Sequence, residues 1–189
     1  ADAGQDNLSL GLSKEQENKI YKYFNYGGIN NFENCLLWLT SEILGEKQFY
    51  YEPKLLPWNG IYHYASENIY EDLASYQAKY CRHNRATIGL IFYRDEWILG
   101  DLSYQSEIIK ALEARNLNVS AVFSNGQANP DIDSEGLREA FAKYFYQDTK
   151  PIIDVLINCI KFSLTTTRAL DLAVLENLNV PILQAYTLA

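Results

Sequence analysis

The residues of this chain best placed to do chemistry follow two apolar runs. Arg94, Asp95, Glu96, Gly100 and Asp101 come after the run 87–93, and Asn158, Lys161 and Ser163 close or follow the run 152–159. Where two such runs are adjacent parallel strands and the strand order reverses between them, the loops at their carboxyl ends open onto the crevice in which α/β sheets hold ligands. Arg94, Asp101, Asn158 and Ser163 are therefore the candidate binding residues, for a small polar ligand or for a neighbouring domain. The plainer alternative makes them solvated turns, helix caps and packing contacts. Polar loops occur at this end of every such sheet, and that outcome is the commoner one.

Stronger chemical signatures are absent. Residues 94–101 hold one glycine and match neither GxGxxG nor the P-loop pattern. The close backbone N–H groups that cradle a phosphate are missing, which argues against nucleotide binding. His63 and His83 are the only histidines. His63 lies in the aromatic run Ile61-Tyr62-His63-Tyr64 and reads as a side chain packed on its neighbours in preference to a metal ligand. Cys81 and His83 are two metal-binding side chains with no third nearby. The carboxylate pairs Asp95-Glu96 and Glu71-Asp72 are adjacent, so they point in different directions on any regular element and make poor acid–base partners. No serine stands in a nucleophile elbow. The residues offer no catalytic constellation and no metal ligand set.

Composition narrows the classes further. The 189 residues are 48% hydrophobic and 21% charged, enough to bury a core without disulfides or metals. The net charge of −8 repels phosphate backbones and argues against broad nucleic-acid binding. No apolar stretch reaches the roughly 18 residues that a membrane span needs. Cys35, Cys81 and Cys159 are odd in number and irregular in spacing, which fits neither a disulfide framework nor a zinc site. A reducing compartment, the cytoplasm, is expected. The chain has 15 tyrosines and no methionine, so residue 1 reads as the start of a truncated or processed chain. The tyrosines allow two readings: aromatic walls for a flat tetrapyrrole, or contact with another domain. The second is preferred.

The elements that must position these residues follow from hydrophobic periodicity. Ser13 and Gln16 form a capping-box pattern ahead of a helix with Ile20, Tyr23 and Phe24 on one face, which Gly27-Gly28 ends. Asn30 or Asn31 is expected to cap a second helix, whose positions Phe32, Cys35, Leu36, Leu39 and Ile43 keep the 3.6-residue period. Residues 46–64 read as an extended aromatic segment, and a third helix follows Ser66. The polar stretch 82–86 is placed as the boundary between a helical, aromatic-rich segment, 1–85, and an α/β domain, 86–189. There the runs 87–93, 118–123, 152–159 and 180–186 alternate with helical patterns near 103–115, after Asp133 or Ser134, and after the threonines at 165–167. That rhythm describes a flavodoxin-like parallel sheet of at least four strands with helices on both faces, preceded by a helical extension. Right-handed crossovers set the strand order 2-1-3-4. A fifth strand is expected, from beyond Ala189 or from the N-terminal segment.

Several segments, taken in order, resemble the cobaltochelatase large subunit and its relative, the H subunit of magnesium chelatase. They are Ile88-Gly89-Leu90-Ile91-Phe92-Tyr93-Arg94, the step Gly100-Asp101, the LEARG-like run Leu112-Glu113-Ala114-Arg115-Asn116, and Val122-Phe123. Asp154-Val155-Leu156-Ile157-Asn158 with Phe162-Ser163, and Val180-Pro181-Ile182-Leu183-Gln184, complete the set, with Tyr26-Gly27-Gly28 and Gly60-Ile61-Tyr62-His63 upstream. The likeness covers roughly residues 20–188. Asn116 departs from the usual glycine, glycines near the end of the third strand are missing, and the connection after Phe162 is short; these differences lean towards the cobalt type.

The resemblance implies a role in inserting a divalent metal into a tetrapyrrole. It makes this chain an N-terminal portion of the large subunit, packed on its remaining domains, with AAA+ partner subunits hydrolysing ATP. No cofactor is implied for this portion itself, and no catalysis by it alone. The alternative from the residues is a stand-alone flavodoxin-like or periplasmic-binding-like module that senses a small molecule.

Overall fold

A computed structural model describes residues 11–160 and 172–186. Its compact units divide between Leu56 and Pro57, so the composition change at 82–86 falls inside the second.

In the first unit Ser13 caps α1 (Lys14–Tyr26). Its Oγ accepts the Gln16 N–H at 3.2 Å, and Gln16 Oε1 accepts the Ser13 N–H at 2.8 Å. Gly27 and Gly28, with φ of 70° and 90°, turn the chain where a Cβ would be strained. Helix α2 (Ile29–Glu42) starts at once, without a side-chain cap. The asparagine expected there works elsewhere: Asn31 donates to the carbonyls of Gly27 and Lys54 and accepts the Lys54 N–H. Its amide straps the extended segment to the helix. The buried face of α2 is Asn31, Cys35 and Trp38, with Tyr23 of α1 against Trp38 at 6.4 Å between ring centroids. Leu36 stays 66% exposed. Trp38 fills the space between the helices and rotates the buried stripe away from Leu36.

The second unit runs β1 (Asn59–Tyr62), α3 (Leu73–Tyr80), β2 (Thr87–Tyr93), α4 (Arg94–Leu99), α5 (Ser103–Glu113), β3 (Asn118–Ser124) and α6 (Leu137–Tyr144). A two-strand hairpin, β4 (Tyr146–Gln147) and β5 (Lys150–Pro151), precedes β6 (Val155–Asn158), α7 (Leu172–Leu178) and β7 (Ile182–Gln184). The main sheet has the order β1-β3-β2-β6-β7. Its four parallel strands, β3-β2-β6-β7, stand in the expected 2-1-3-4 arrangement. The fifth comes from the N-terminal side. β1 pairs antiparallel with β3, from Asn59 opposite Ser124 to Tyr62 opposite Ala121.

Side-chain alternation along the strands builds two cores. Ile91, Val122 and Leu156 face a layer that includes Tyr76 of α3 and Leu137, Ala140, Phe141 and Tyr144 of α6. Leu90, Phe92, Ala121 and Phe123 face the other layer, with Trp97 of α4 and Ile109 of α5. Helices therefore cover both faces. Gly89 lets this packing close, because a Cβ there would stand 2.7 Å from Ile153 Cδ1 and 3.1 Å from the Phe145 ring. The hairpin and α4 are additions to the expected scheme. The hairpin turns on Asp148 and Thr149, both at positive φ, without the glycine that signals such turns in sequence. α4 begins at Arg94 with no linker after β2, and Gly100 ends it at φ 73°. Among the described residues no helix is long and apolar enough to cross a membrane.

Candidate functional site

The strand order reverses between β2 and β6, where Ile91 pairs with Asn158 and the Cys159 N–H donates to the Ile91 carbonyl at 2.9 Å. Arg94 and Asn158 both lie at this carboxyl end. Each is only 2% exposed. Arg94 Nε donates to the Pro57 carbonyl at 2.8 Å, and its guanidinium lies 4.3 Å from the centre of the Trp58 ring. Burial lowers its pKa to about 10, while Asp95 acts in the opposite direction; the side chain still carries its charge at neutral pH. Asn158 donates through Nδ2 to Gln184 Oε1 at 2.7 Å and accepts the Ile160 N–H at 3.0 Å. Gln184 Nε2 returns bonds to the carbonyls of Asn158 and Ile160 at 3.1 and 3.0 Å. The amide pair clamps β7 to β6.

Three further side chains meet at this end. Glu96 Oε2 accepts the Tyr104 hydroxyl at 2.8 Å and Gln105 Nε2 at 2.9 Å. α4 brings the carboxylate and the first turn of α5 brings both donors. Burial, together with the bond to Glu96, raises the Tyr104 pKa, and burial pushes the Cys159 thiol up to about 12. Such a thiol is a packing group, not a nucleophile. Cys35 and Cys81 are also raised by burial. Asp101 stands apart from this network. Its N–H closes the turn onto the Glu96 carbonyl at 2.9 Å, and the residue is exposed. Ser163 and Lys161 lie outside the described residues. The structure thus brings Arg94 and Asn158 to one end of the sheet and turns both inwards, onto partners within the chain.

Sequence reasoning missed three members of this belt: Tyr104, Gln105 and Gln184. The first two stand in the first turn of a helix that was legible, so their position beside Glu96 follows once that helix is laid on β2. Gln184 lies in a motif segment and faces Asn158 across a pairing that only the sheet order supplies.

A second constellation surrounds His63. Its Nδ1 accepts the Ala65 N–H at 3.1 Å, which leaves the ring proton on Nε2, 3.0 Å from Glu113 Oε1. Tyr64 donates to the other oxygen of Glu113 at 3.0 Å. The imidazole stacks on Tyr80 at 3.7 Å and on Tyr64 at 4.7 Å between centroids, so it is packed on aromatic neighbours, as its sequence context indicates. Nearby, Lys79 Nζ donates to the Tyr70 hydroxyl at 2.9 Å. That ammonium lowers the Tyr70 pKa to about 8, with smaller help from Ser66 and Tyr80. Glu113 is 50 residues from His63, and no local spacing pairs them. Among the described residues no three His, Cys, Asp or Glu side chains gather closely enough to hold a metal ion.

Fold and site together define a flavodoxin-like α/β unit whose reversal point is internally hydrogen-bonded, carried with a two-helix N-terminal unit. The chain belongs to the CobN/magnesium chelatase family, whose sequence profile matches residues 21–189. Two uncharacterized proteins of Methanocaldococcus jannaschii are 34% and 30% identical over 92% and 90% of this chain. The aerobic cobaltochelatase subunit CobN of Pseudomonas aeruginosa is 27% identical over 57% of it, and 8% of that protein is matched. The fold resembles part of the catalytic subunit of cobaltochelatase from Mycobacterium tuberculosis, with a TM-score of 0.55 and 15% identity over 94% of this chain and 14% of that one. The chain spans about 14% of the length of the two archaeal relatives.

Proposed function

We propose that this chain is the N-terminal portion of a chelatase large subunit, which inserts cobalt or magnesium into a tetrapyrrole with ATP-hydrolysing AAA+ subunits in the cytoplasm. Its own role is to scaffold the remaining domains or to line the tetrapyrrole cleft, without catalysing insertion alone. The observation that carries this reading is the family match along residues 21–189 of a chain that spans so small a share of its relatives. The inward-turned belt supports the scaffold role: Arg94 bonds Pro57, Glu96 bonds Tyr104 and Gln105, and Asn158 bonds Gln184. Charge and amide groups spent this way stiffen a platform.

The test is metal insertion by the large subunit that carries this sequence, assayed with its AAA+ partners and ATP, beside the isolated chain. The expected result is ATP-dependent insertion by the former and none by the latter. A large subunit without such activity, or insertion by the isolated chain, overturns the proposal. Titration of the chain with a metal-free porphyrin or cobalt-free corrin separates the two roles: a shifted Soret band supports cleft lining, and a flat titration leaves the scaffold alone. A saturable thermal shift with a small anion, sugar or nucleotide would favour a sensing module instead.

A further inference from the structure

β7 is built like an interior strand and stands at an edge. Among the described residues its one neighbour in the sheet is β6. The Leu156 N–H donates to the Pro181 carbonyl at 2.9 Å and the Ala185 N–H to the Asn158 carbonyl at 2.8 Å. Backbone groups alternate along a strand, so residues 181, 183 and 185 face β6, while the N–H and C=O of Ile182 and Gln184 point to the open side. The side chains are also those of an interior strand. Ile182 and Leu183 lie on opposite faces of the sheet and are 40% and 56% exposed, and Tyr186 just beyond is 78% exposed. A parallel strand apolar on both faces belongs where helices and further strands cover it. No Lys, Asp, Glu or bulge, devices that soluble proteins use on a free edge, stands in 180–186, and the proline there, Pro181, faces β6 and leaves the outer side open.

We infer that β7 pairs on its open side with a further strand supplied by another segment of the same large subunit. The inference rests on the proposal that this chain is part of such a subunit. The occupant follows from length: this chain matches 14% of each archaeal relative, so most of their residues lie outside the matched region. It also follows from the contrast with β1, whose outer edge this chain covers itself. There Ile61 and Tyr70 exchange two backbone hydrogen bonds, at 2.8 and 2.9 Å. The incoming strand would take the two outward pairs of groups on Ile182 and Gln184, and its flanking side chains would cover Leu183 and Tyr186.

Hydrogen–deuterium exchange resolved to single amides, on the isolated chain and on the large subunit carrying it, tests this. The Leu183 amide faces β6 and is expected to exchange slowly in both, which reports that the sheet is formed. The Ile182 and Gln184 amides are expected to exchange rapidly in the isolated chain and at least about tenfold more slowly in the large subunit. The variant Ile182→Pro removes one outward N–H and keeps every bond to β6. It should speed the Gln184 amide in the large subunit and leave Leu183 slow. Rapid exchange of Ile182 and Gln184 in the large subunit overturns the inference, as does a Gln184 amide indifferent to Ile182→Pro. Protection that appears in the isolated chain together with dimer formation in sedimentation assigns the edge to a second copy and overturns it as well. A large subunit that inserts metal with rapid β7 edge amides sinks only this strand; protected amides in a subunit without chelatase activity sink only the functional reading.

Discussion

β1, at one margin of the sheet, exchanges both outward hydrogen bonds of Ile61 with Tyr70 and buries the Ile61 side chain completely. β7, at the other margin, leaves Leu183 more than half exposed. The run that feeds β1, Asn59-Gly60-Ile61-Tyr62, is less apolar than Val180-Pro181-Ile182-Leu183, yet it is the deeper of the two. Depth at a sheet edge is decided by what folds over it. Residues 63–80 return across β1, with Tyr70 as backbone partner, Tyr76 in the adjoining core and the Tyr62 hydroxyl on Ser106 at 2.8 Å. Apolar area is worth about 25 cal/mol per Å² only when something removes it from water; the described residues do this at β1 and not at β7.

That contrast can be broken by a matched pair of truncations. Ile61→Ala empties a fully buried site and should cost about 2–5 kcal/mol in urea unfolding. Leu183→Ala in the isolated chain should stay within about 0.5 kcal/mol. Equal losses would mean that both edges are closed alike. Arg94 sharpens the picture at the β1 end, because it holds the Pro57-Trp58 connector that leads into β1. Arg94→Gln takes the donor from the Pro57 carbonyl and should cost about 1–3 kcal/mol, with faster exchange at Ile61 than at Leu183. A variant as stable as the parent would show that the connector is held without Arg94.

The smallest effect concerns the Tyr70–Lys79 pair beside the same edge. The folded pKa of Tyr70, about 8, lies below its ordinary value of 10.0. The linked stabilisation is therefore absent below about pH 8 and grows as the pH rises towards 10; it is lost again at higher pH as Lys79, whose pKa the same bond raises above 10.5, gives up its proton. A tyrosinate absorbance titration should show one early step near pH 8, which Lys79→Met moves back towards 10. A parent protein with no step below the ordinary tyrosine range would remove the ammonium from this account.

Much of the second unit was legible. The runs 87–93 and 118–123 match β2 and β3 to within a residue, and Leu137, Ala140, Phe141 and Tyr144 emerge buried on α6. These segments carry their period in their own side chains. The runs 152–159 and 180–186 shrink to β6 and β7, because apolar character continues past the residues that pair. The strand within 46–64 is not legible as one, since the segment reads only as extended and aromatic, and Gly60 is explained by the close approach of Phe123 and Ile69. At the candidate site Arg94 and Asn158 stand at the reversal point, and their inward orientation is not legible in the sequence. It depends on Pro57 and Gln184, which lie 37 and 26 residues away.

The sequence by itself determined the parallel α/β class, the order of its four parallel strands, the capping box at Ser13 and the family resemblance. Each rests on local periodicity, on short-range hydrogen bonding or on the handedness of crossovers, all of which residue order encodes directly. Tertiary structure alone decided that β1 closes one edge, that β7 stands open at the other, and that the charged and amide groups at the reversal point bond inwards. Those outcomes rest on contacts between residues tens of positions apart, where a polar side chain takes whichever partner the folded backbone sets within hydrogen-bond reach.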